Sequence, residues 1–416
     1  METLQKTMNT WLEELPRLLL ADLLNQKLCA QGIKLSKRKR GELADKILNE
    51  RLNTFDFDDG RKGDGKRIMT IEFTEIDSEL METKFKKFME RLPALIDDLT
   101  EKTSQSILST LKGRWPSESR VQRRDLHGFR KRLQERWGDG LEQLRMLITI
   151  AREYGYELNK AGRRAGSGNS PKTFEILIRL HARSCQIAEE IACLLSNGFA
   201  DGAMARWRTL HEIAAVGCLI RRHGEELAER YEHHQIVESR KAALQYQQYQ
   251  KRLRQKPLSK KALKEIEADY VSALKTYGTD FRDPQGWAAK HLGKRNPSIA
   301  DIQEAAGIDY LAPYYRMASH NVHANPKGVF FKLGLLGETD TLLAGPSNAG
   351  LADPGHATAL SLVLISSLLL HLYPTLDNNI VMKVIQELGG EIGSALLSAH
   401  KKLEADDRVL SGTGRN

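Results

Sequence analysis

The sequence predicts an all-α protein, and three observations carry that expectation. Leu, Ala, Glu, Lys and Arg dominate the composition, and these are the residues that lose least on entering a helix. Apolar residues recur every three or four positions through most of the chain. Glycine, proline and Asn-Gly pairs fall between these periodic runs, where helices should stop. A length of 416 residues leaves room for two or three domains. The 63 basic and 54 acidic side chains give a formal charge of +9 and a pI near 9.2. That surplus suits a nucleic-acid partner without requiring one. Cys29, Cys185, Cys193 and Cys218 form no C-x-x-C pair, and three lie in apolar helical stretches. They are expected as small buried hydrophobes of a reduced, cytoplasmic protein.

Taken in order, residues 1–53 read as a small helical module. Leu18 to Leu28 give a wide apolar stripe, then Gly32 to Ser36 an extended link. The basic run Lys37, Arg38, Lys39, Arg40 opens a second helix through Leu43, Ile47 and Leu52. Such a run reads first as a solvated charge cluster at a helix start; the poor fit of cations at a helix N-terminus adds a slight argument for a phosphate-docking surface. Residues 54–128 form a helical linker region. Phe55 to Lys66 is a polar, Gly-rich linker, Arg67 to Phe73 a short extended piece, 77–111 a helix that Pro93 kinks or breaks, and 113–128 mixed and basic. Residues 129–406 form the main helical bundle. It opens with a helix over 129–158, and a mobile basic break spans 160–172, where Arg163 and Arg164 could meet phosphate. Helices over 174–196 and 203–222 then pair as a hairpin about Asn197-Gly198. A long polar helix over 225–253 carries His233 and His234, expected to be exposed. A further helix covers 266–277, and Ser298 caps a short one. A small β-hairpin is expected near 329–343, a buried core helix over 356–373, a last helix to 405, and a disordered tail over 407–416. The 357–373 run is too short and too interrupted for a confident membrane span.

Two groups carry candidate chemistry. In Tyr314 to Gly328, Arg316, His320 and His323 are spaced by four and then three, which puts all three on one face of a helix ending at Asn325-Pro326. A guanidinium can hold a phosphodiester while an imidazole takes a proton from a 2′-hydroxyl. The plainer reading is that they cap and solvate a helix end. Arg208, His211 and Glu212 sit among Leu210, Ile213 and Val216. Arg208 and Glu212, one turn apart, are a structural ion pair or part of a site. No Walker-type loop and no acidic spacing of a metal nuclease is present, so no metal or organic cofactor is implied.

The N-terminal helix pair, with its glycine stop and basic restart, resembles the SAP-type nucleic-acid-binding motif over about 30 residues. Residues about 130–375 resemble a bacterial family of uncharacterised all-helical proteins. The features that carry this are Arg136 to Leu144, the hairpin ending Arg208-Thr-Leu-His-Glu212, and Tyr315-Arg-Met-Ala-Ser-His-Asn-Val-His323. The layout looks like the HEPN superfamily, many of whose members are metal-independent ribonucleases of toxin–antitoxin and antiphage systems that dimerise across paired Arg–His helices. The resemblance implies a homodimer acting on RNA, with Arg316 and His323, and His320 beside them, as catalytic residues and Arg208, Glu212 and His211 in support. Met317 stands where that motif has a polar residue. The alternative is a non-catalytic helical scaffold that binds nucleic acid or a protein of a defence system. No membrane partner is expected.

Overall fold

A computed structural model describes residues 2–50, 52–58, 68–164, 171–337, 340 and 342–413. Among them the fold is all-α apart from one two-stranded antiparallel sheet. The chain divides into two compact units, Met1–Val121 and Gln122–Asn416.

In the first unit, α1 (Glu2–Ala30) and α2 (Lys37–Glu50) close on each other through Leu20, Leu23, Leu24, Ala44 and Ile47. These are the residues whose helical spacing marks the stripe. The sheet pairs β1 (Thr54–Asp58) with β2 (Ile68–Glu72), Thr54 opposite Glu72 and Asp56 opposite Thr70. The expected linker therefore begins as a strand, and its remainder, 59–67, lies outside the described residues. Helix α3 (Glu75–Arg164) starts beside α1. Lys27 reaches Asp77 at 2.6 Å and the Glu72 carbonyl at 2.9 Å, and Trp11 meets Phe88 edge-on at 5.2 Å.

Helix α3 joins the helix expected over 77–111, the mixed basic stretch 113–128 and the helix expected over 129–158 into one, running through Pro93 and Pro116. Each proline forfeits one backbone bond. The intervening Arg, Lys, Gln and Glu are good helix formers.

The second unit is built on a hairpin of α4 (Pro171–Ser196) and α5 (Ala200–His223). The Glu225 carboxylate accepts the Lys172 and Thr173 N–H groups at 3.0 and 2.8 Å, satisfying the open start of α4. Helices α6 (Glu225–His233), α7 (Gln235–Tyr249) and α8 (Lys260–Tyr277) follow, so the expected single helix over 225–253 is interrupted at His234. Contrary to expectation, His234 is buried, with Nε2 2.9 Å from the Asp283 carbonyl. After α9 (Ala289–Leu292), α10 (Ile299–Ala306) begins with a full capping box of Ser298 and Asp301. Then come α11 (Ala312–Val322), α12 (Pro326–Phe330), α13 (Ala352–Leu370) and α14 (Leu376–Thr413).

The expected hairpin near 329–343 is overturned: Val329 and Phe330 are helical, and none of the described residues from 331 to 343 is in a strand. Asn325 and Pro326, which stop α11, also start α12. The Asn325 side chain caps Gly328 N–H at 2.9 Å, and proline at the first turn costs no hydrogen bond. The expected tail is likewise helical as far as Thr413.

Helix α13 is the hub of the core. By length and composition it could cross a membrane, but 61% of its most apolar stretch is buried in this fold. It supplies Leu362 and Ile365 to a core that includes Trp137, Leu177, Trp207, Leu219 and Leu396. Its hydroxyls satisfy buried partners: Ser361 accepts from Trp207 Nε1 at 3.0 Å, and Ser366 lies 3.0 Å from His181 Nε2. Helix α3 approaches α4 closely at Gly162, where a Cβ would lie 2.2 Å from the Phe174 ring. All four cysteines are free, but only Cys185 is buried; Cys29 and Cys193 are exposed, against expectation.

Candidate functional site

Helix α11 packs along α5, and the two faces it presents differ. Tyr315, Ala318 and Ser319 turn toward α5. There the Arg208 guanidinium does three things. It pairs with Glu212 at 3.0 Å, donates to Ser319 Oγ at 3.2 Å, and lies 4.8 Å from the centre of the Tyr315 ring. The Tyr315 hydroxyl donates to Glu212, and Ser319 donates to the Tyr315 carbonyl at 2.9 Å. Burial, reinforced by the Glu212 carboxylate, pushes the Tyr315 hydroxyl above its ordinary range. His211 is 1% exposed between Trp207 and Tyr315, and its Nε2 has no hydrogen-bond partner among the described residues. Burial lowers it to about 4, so the ring is neutral.

The other face is open. Arg316 is exposed and makes no side-chain hydrogen bond or ion pair among the described residues. His320, one turn on, is half-buried, with Nδ1 2.9 Å from Asn325 Nδ2. Asn325 Oδ1 is already committed to the Gly328 N–H, so its amide nitrogen must be the atom turned toward His320. In the neutral ring Nδ1 then accepts and Nε2 carries the proton. Gly328 makes this possible, because a Cβ there would stand 2.0 Å from the His320 carbonyl oxygen.

His323 departs from expectation. Helix α11 ends at Val322, and His323 is its C-cap in extended conformation, φ −107 and ψ 143. The shared helix face therefore holds for Arg316 and His320 but not for His323. The cause is local: residues leading into Pro326 are held out of the helical region so that Asn325 can cap α12. His323 is exposed and without a side-chain partner among the described residues.

The structure thus brings Arg208, His211 and Glu212 against α11, but onto Tyr315 and Ser319 rather than onto Arg316. Tyr315, Ser319 and Asn325 were missed in the sequence. The signal for Asn325 was present as an Asn-Pro start; the other two needed knowledge of which α11 face meets α5. Lys37, Arg38 and Lys39 are exposed and Arg40 half-buried on the first turn of α2, which has no acidic residue, and Arg38 pairs with Glu42 at 3.1 Å. Arg163 and Arg164 are exposed at the end of α3, with Arg163 donating to Asn159 at 3.1 Å. Residues 165–170 of the expected break lie outside the described residues. Among the described residues no three His, Cys, Asp or Glu side chains converge as a metal site would require.

A sizeable cavity lies elsewhere. It is a groove of about 1350 Å³ between α3 and α4, bordered by Ile148, Arg152, Phe174, Ile178, Cys185 and Arg206. Arg206 is paired with Glu190, and burial pushes the Cys185 thiol up to about 12 and His181 beside it down to about 4. The thiol is therefore protonated and the imidazole neutral near neutral pH, while Arg152, Glu175, Arg179 and Glu189 give the groove a charged rim.

Residues 174–339 match the model of a family of unknown function, DUF5677. The match opens at the first turn of α4 and takes in α5 and the whole of α11 and α12. No curated protein and no solved structure matches the chain.

Proposed function

We propose that the protein is a cytoplasmic, metal-independent ribonuclease of HEPN-like type, working as a homodimer in bacterial toxin or antiphage defence. One observation carries the reading. Tyr315, Ser319, His320 and Asn325 are all hydrogen-bonded, while Arg316 and His323 beside them are exposed and uncommitted. A cation and an imidazole left free next to a fixed, donating imidazole form a set suited to a phosphodiester. Arg316 holds the scissile phosphate. His323 takes the 2′-hydroxyl proton, the 2′-oxygen attacks phosphorus, and the 5′-oxygen leaves with a proton from solvent. The His320 Nε2–H, aimed by Asn325, donates to a phosphoryl oxygen as charge builds there. Arg208, Glu212 and His211 brace α11 from behind. Exposed Tyr310, Tyr314 and Phe330 on the adjoining segments offer faces on which unpaired bases can stack.

The test is incubation of purified wild-type, Arg316→Ala and His323→Ala protein with total RNA and tRNA in EDTA. Cleavage by the wild type alone is the expected result. Cleavage that survives in His323→Ala removes that residue from the chemistry.

A second reading, non-catalytic binding of nucleic acid or a protein, is favoured by the cation-only first turn of α2. It requires RNA or DNA affinity that falls steeply with salt, without cleavage.

A further inference from the structure

The chain's surplus of positive charge sits in one place. Residues 239–264 hold nine of its 63 basic side chains and none of its 54 acidic ones, which leaves 54 of each sign elsewhere. The formal charge of +9 is therefore carried by most of α7, the turn after it and the start of α8. Three of the nine have acidic partners. Arg240 pairs with Glu267 at 2.7 Å, Lys241 with Glu238 at 2.9 Å, and Lys261 lies 3.9 Å from Glu265. Lys251, Arg252, Arg254, Lys256, Lys260 and Lys264 are exposed and make no side-chain hydrogen bond or ion pair among the described residues.

The turn that presents these six is held in place. The Tyr246 hydroxyl donates to the Lys256 carbonyl at 2.8 Å, and the Leu258 N–H donates to the Gln247 side chain at 3.1 Å. The Gln255 N–H donates to the carbonyl of buried Gln250 at 2.9 Å, and Ser259 caps α8 by accepting from the Ala262 N–H at 3.1 Å. Arg254 has φ 55, a left-handed conformation that costs arginine more than it would cost glycine. Lys260 and Lys261 stand in the first turn of α8, which has no acidic residue, and the helix dipole disfavours cations there. Crowding like charges on a fixed turn opposes folding, and an anionic partner turns the same charges into attraction.

The neighbouring groups indicate which anion fits. A loop that docks on a membrane inserts several apolar side chains. Between Lys251 and Lys264 the one largely exposed hydrophobe is Leu253, at 58%. Exposed Gln245, Gln248 and Gln255 flank the cations with amides, which bond phosphate and sugar oxygens.

We infer that the turn between α7 and α8 docks the phosphodiester backbone of RNA, without regard to base sequence. The choice of RNA rests on the ribonuclease reading above, and the site uses neither Arg316 nor His323.

The test is fluorescence-anisotropy titration of the full-length protein, in EDTA and across a salt series, with a labelled RNA whose sugars are all 2′-O-methyl. That strand cannot be cut through a 2′-hydroxyl, so binding is read apart from cleavage. Two variants of equal net charge are compared. One carries Lys251→Gln, Arg252→Gln, Arg254→Gln and Lys256→Gln. The control carries Lys86→Gln, Lys87→Gln, Lys401→Gln and Lys402→Gln at exposed positions of α3 and α14. The bonds that fix the turn use the Lys256 backbone and not its ammonium, so circular dichroism and urea unfolding should match the wild type. The turn variant should lose about 3 from the slope of log affinity against log salt and bind at least about tenfold more weakly near about 0.1 M salt. The control should keep the wild-type slope. Equal losses in the two variants, or no loss in the turn variant, overturn the site. So does a wild type that leaves the RNA unbound, whether or not it holds phosphatidylglycerol vesicles. Cleavage of ribose RNA, followed in parallel, judges the other reading separately. Cleavage by the wild type with full binding by the turn variant ends this inference and leaves the ribonuclease reading intact. Binding lost through the turn, in a protein that cuts nothing, does the reverse.

Discussion

At the scale of single residues, α11 has one face bonded to α5 and one open face. Tyr315 faces α5 and is tied to Glu212, so Tyr315→Phe should cost about 1 kcal/mol of stability in urea unfolding. It should leave RNA cleavage close to the wild-type rate. Arg316 and His323 make no side-chain hydrogen bond or ion pair among the described residues, so their alanine variants should stay within about 0.5 kcal/mol of wild type and lose cleavage instead. The opposite pattern, a destabilised Arg316→Ala that still cuts, would make Arg316 a structural residue. Part of this division was legible in the sequence. The i, i+4 spacing of Arg208 and Glu212 and the apolar residues around them announced the ion pair. The sequence could not show that Ser319 and Tyr315 complete it, because their partners lie about a hundred residues away in the chain.

At the scale of elements, helices were legible wherever one face is buried and blurred where none is. The α4–α5 hairpin, α13 and the Ser298 cap follow from apolar spacing and capping residues. The unbroken α3 did not, since its middle is solvated and carries no buried stripe to read. Asn325-Pro326 was read only as a stop, although the same two residues begin α12. Close packing within an element gives a sharper test. Gly162 lies where a Cβ would strike buried Phe174, so Gly162→Ala should destabilise by about 1–3 kcal/mol despite alanine's better helix propensity. Gly390 in α14 is exposed and has nothing within 4 Å of its missing Cβ. Gly390→Ala should stabilise by about 0.5–1 kcal/mol. Paired denaturant unfolding of the two variants checks the contrast. Equal effects would mean that α3 does not pack closely on α4.

At the scale of the whole molecule, buried imidazoles make stability depend on pH. Burial lowers His181 and His211 to about 4, and it also lowers His234, His291 and His356. Between about pH 6.5 and pH 4 the unfolded chain holds these protons and the folded chain does not, so stability falls as pH drops through that window. His181 and His211 each contribute on the order of 3 kcal/mol to this slope. Urea unfolding across the window should show it, and His181→Gln should reduce the slope even if it lowers stability throughout. A flat profile would mean that these rings are accessible to solvent protons in the fold.

The central claim is that Arg316 and His323 cut RNA by recruiting its own 2′-hydroxyl. It is tested most directly with one RNA oligonucleotide, cleaved in EDTA and compared with the same strand carrying a single 2′-deoxy sugar at the cut site. The wild type is expected to cut only the all-ribose strand, leaving a 2′,3′-cyclic phosphate and a 5′-hydroxyl, and the two alanine variants to cut neither. Cleavage of the deoxy-substituted strand at the same position, or product ends of another kind, would contradict the account.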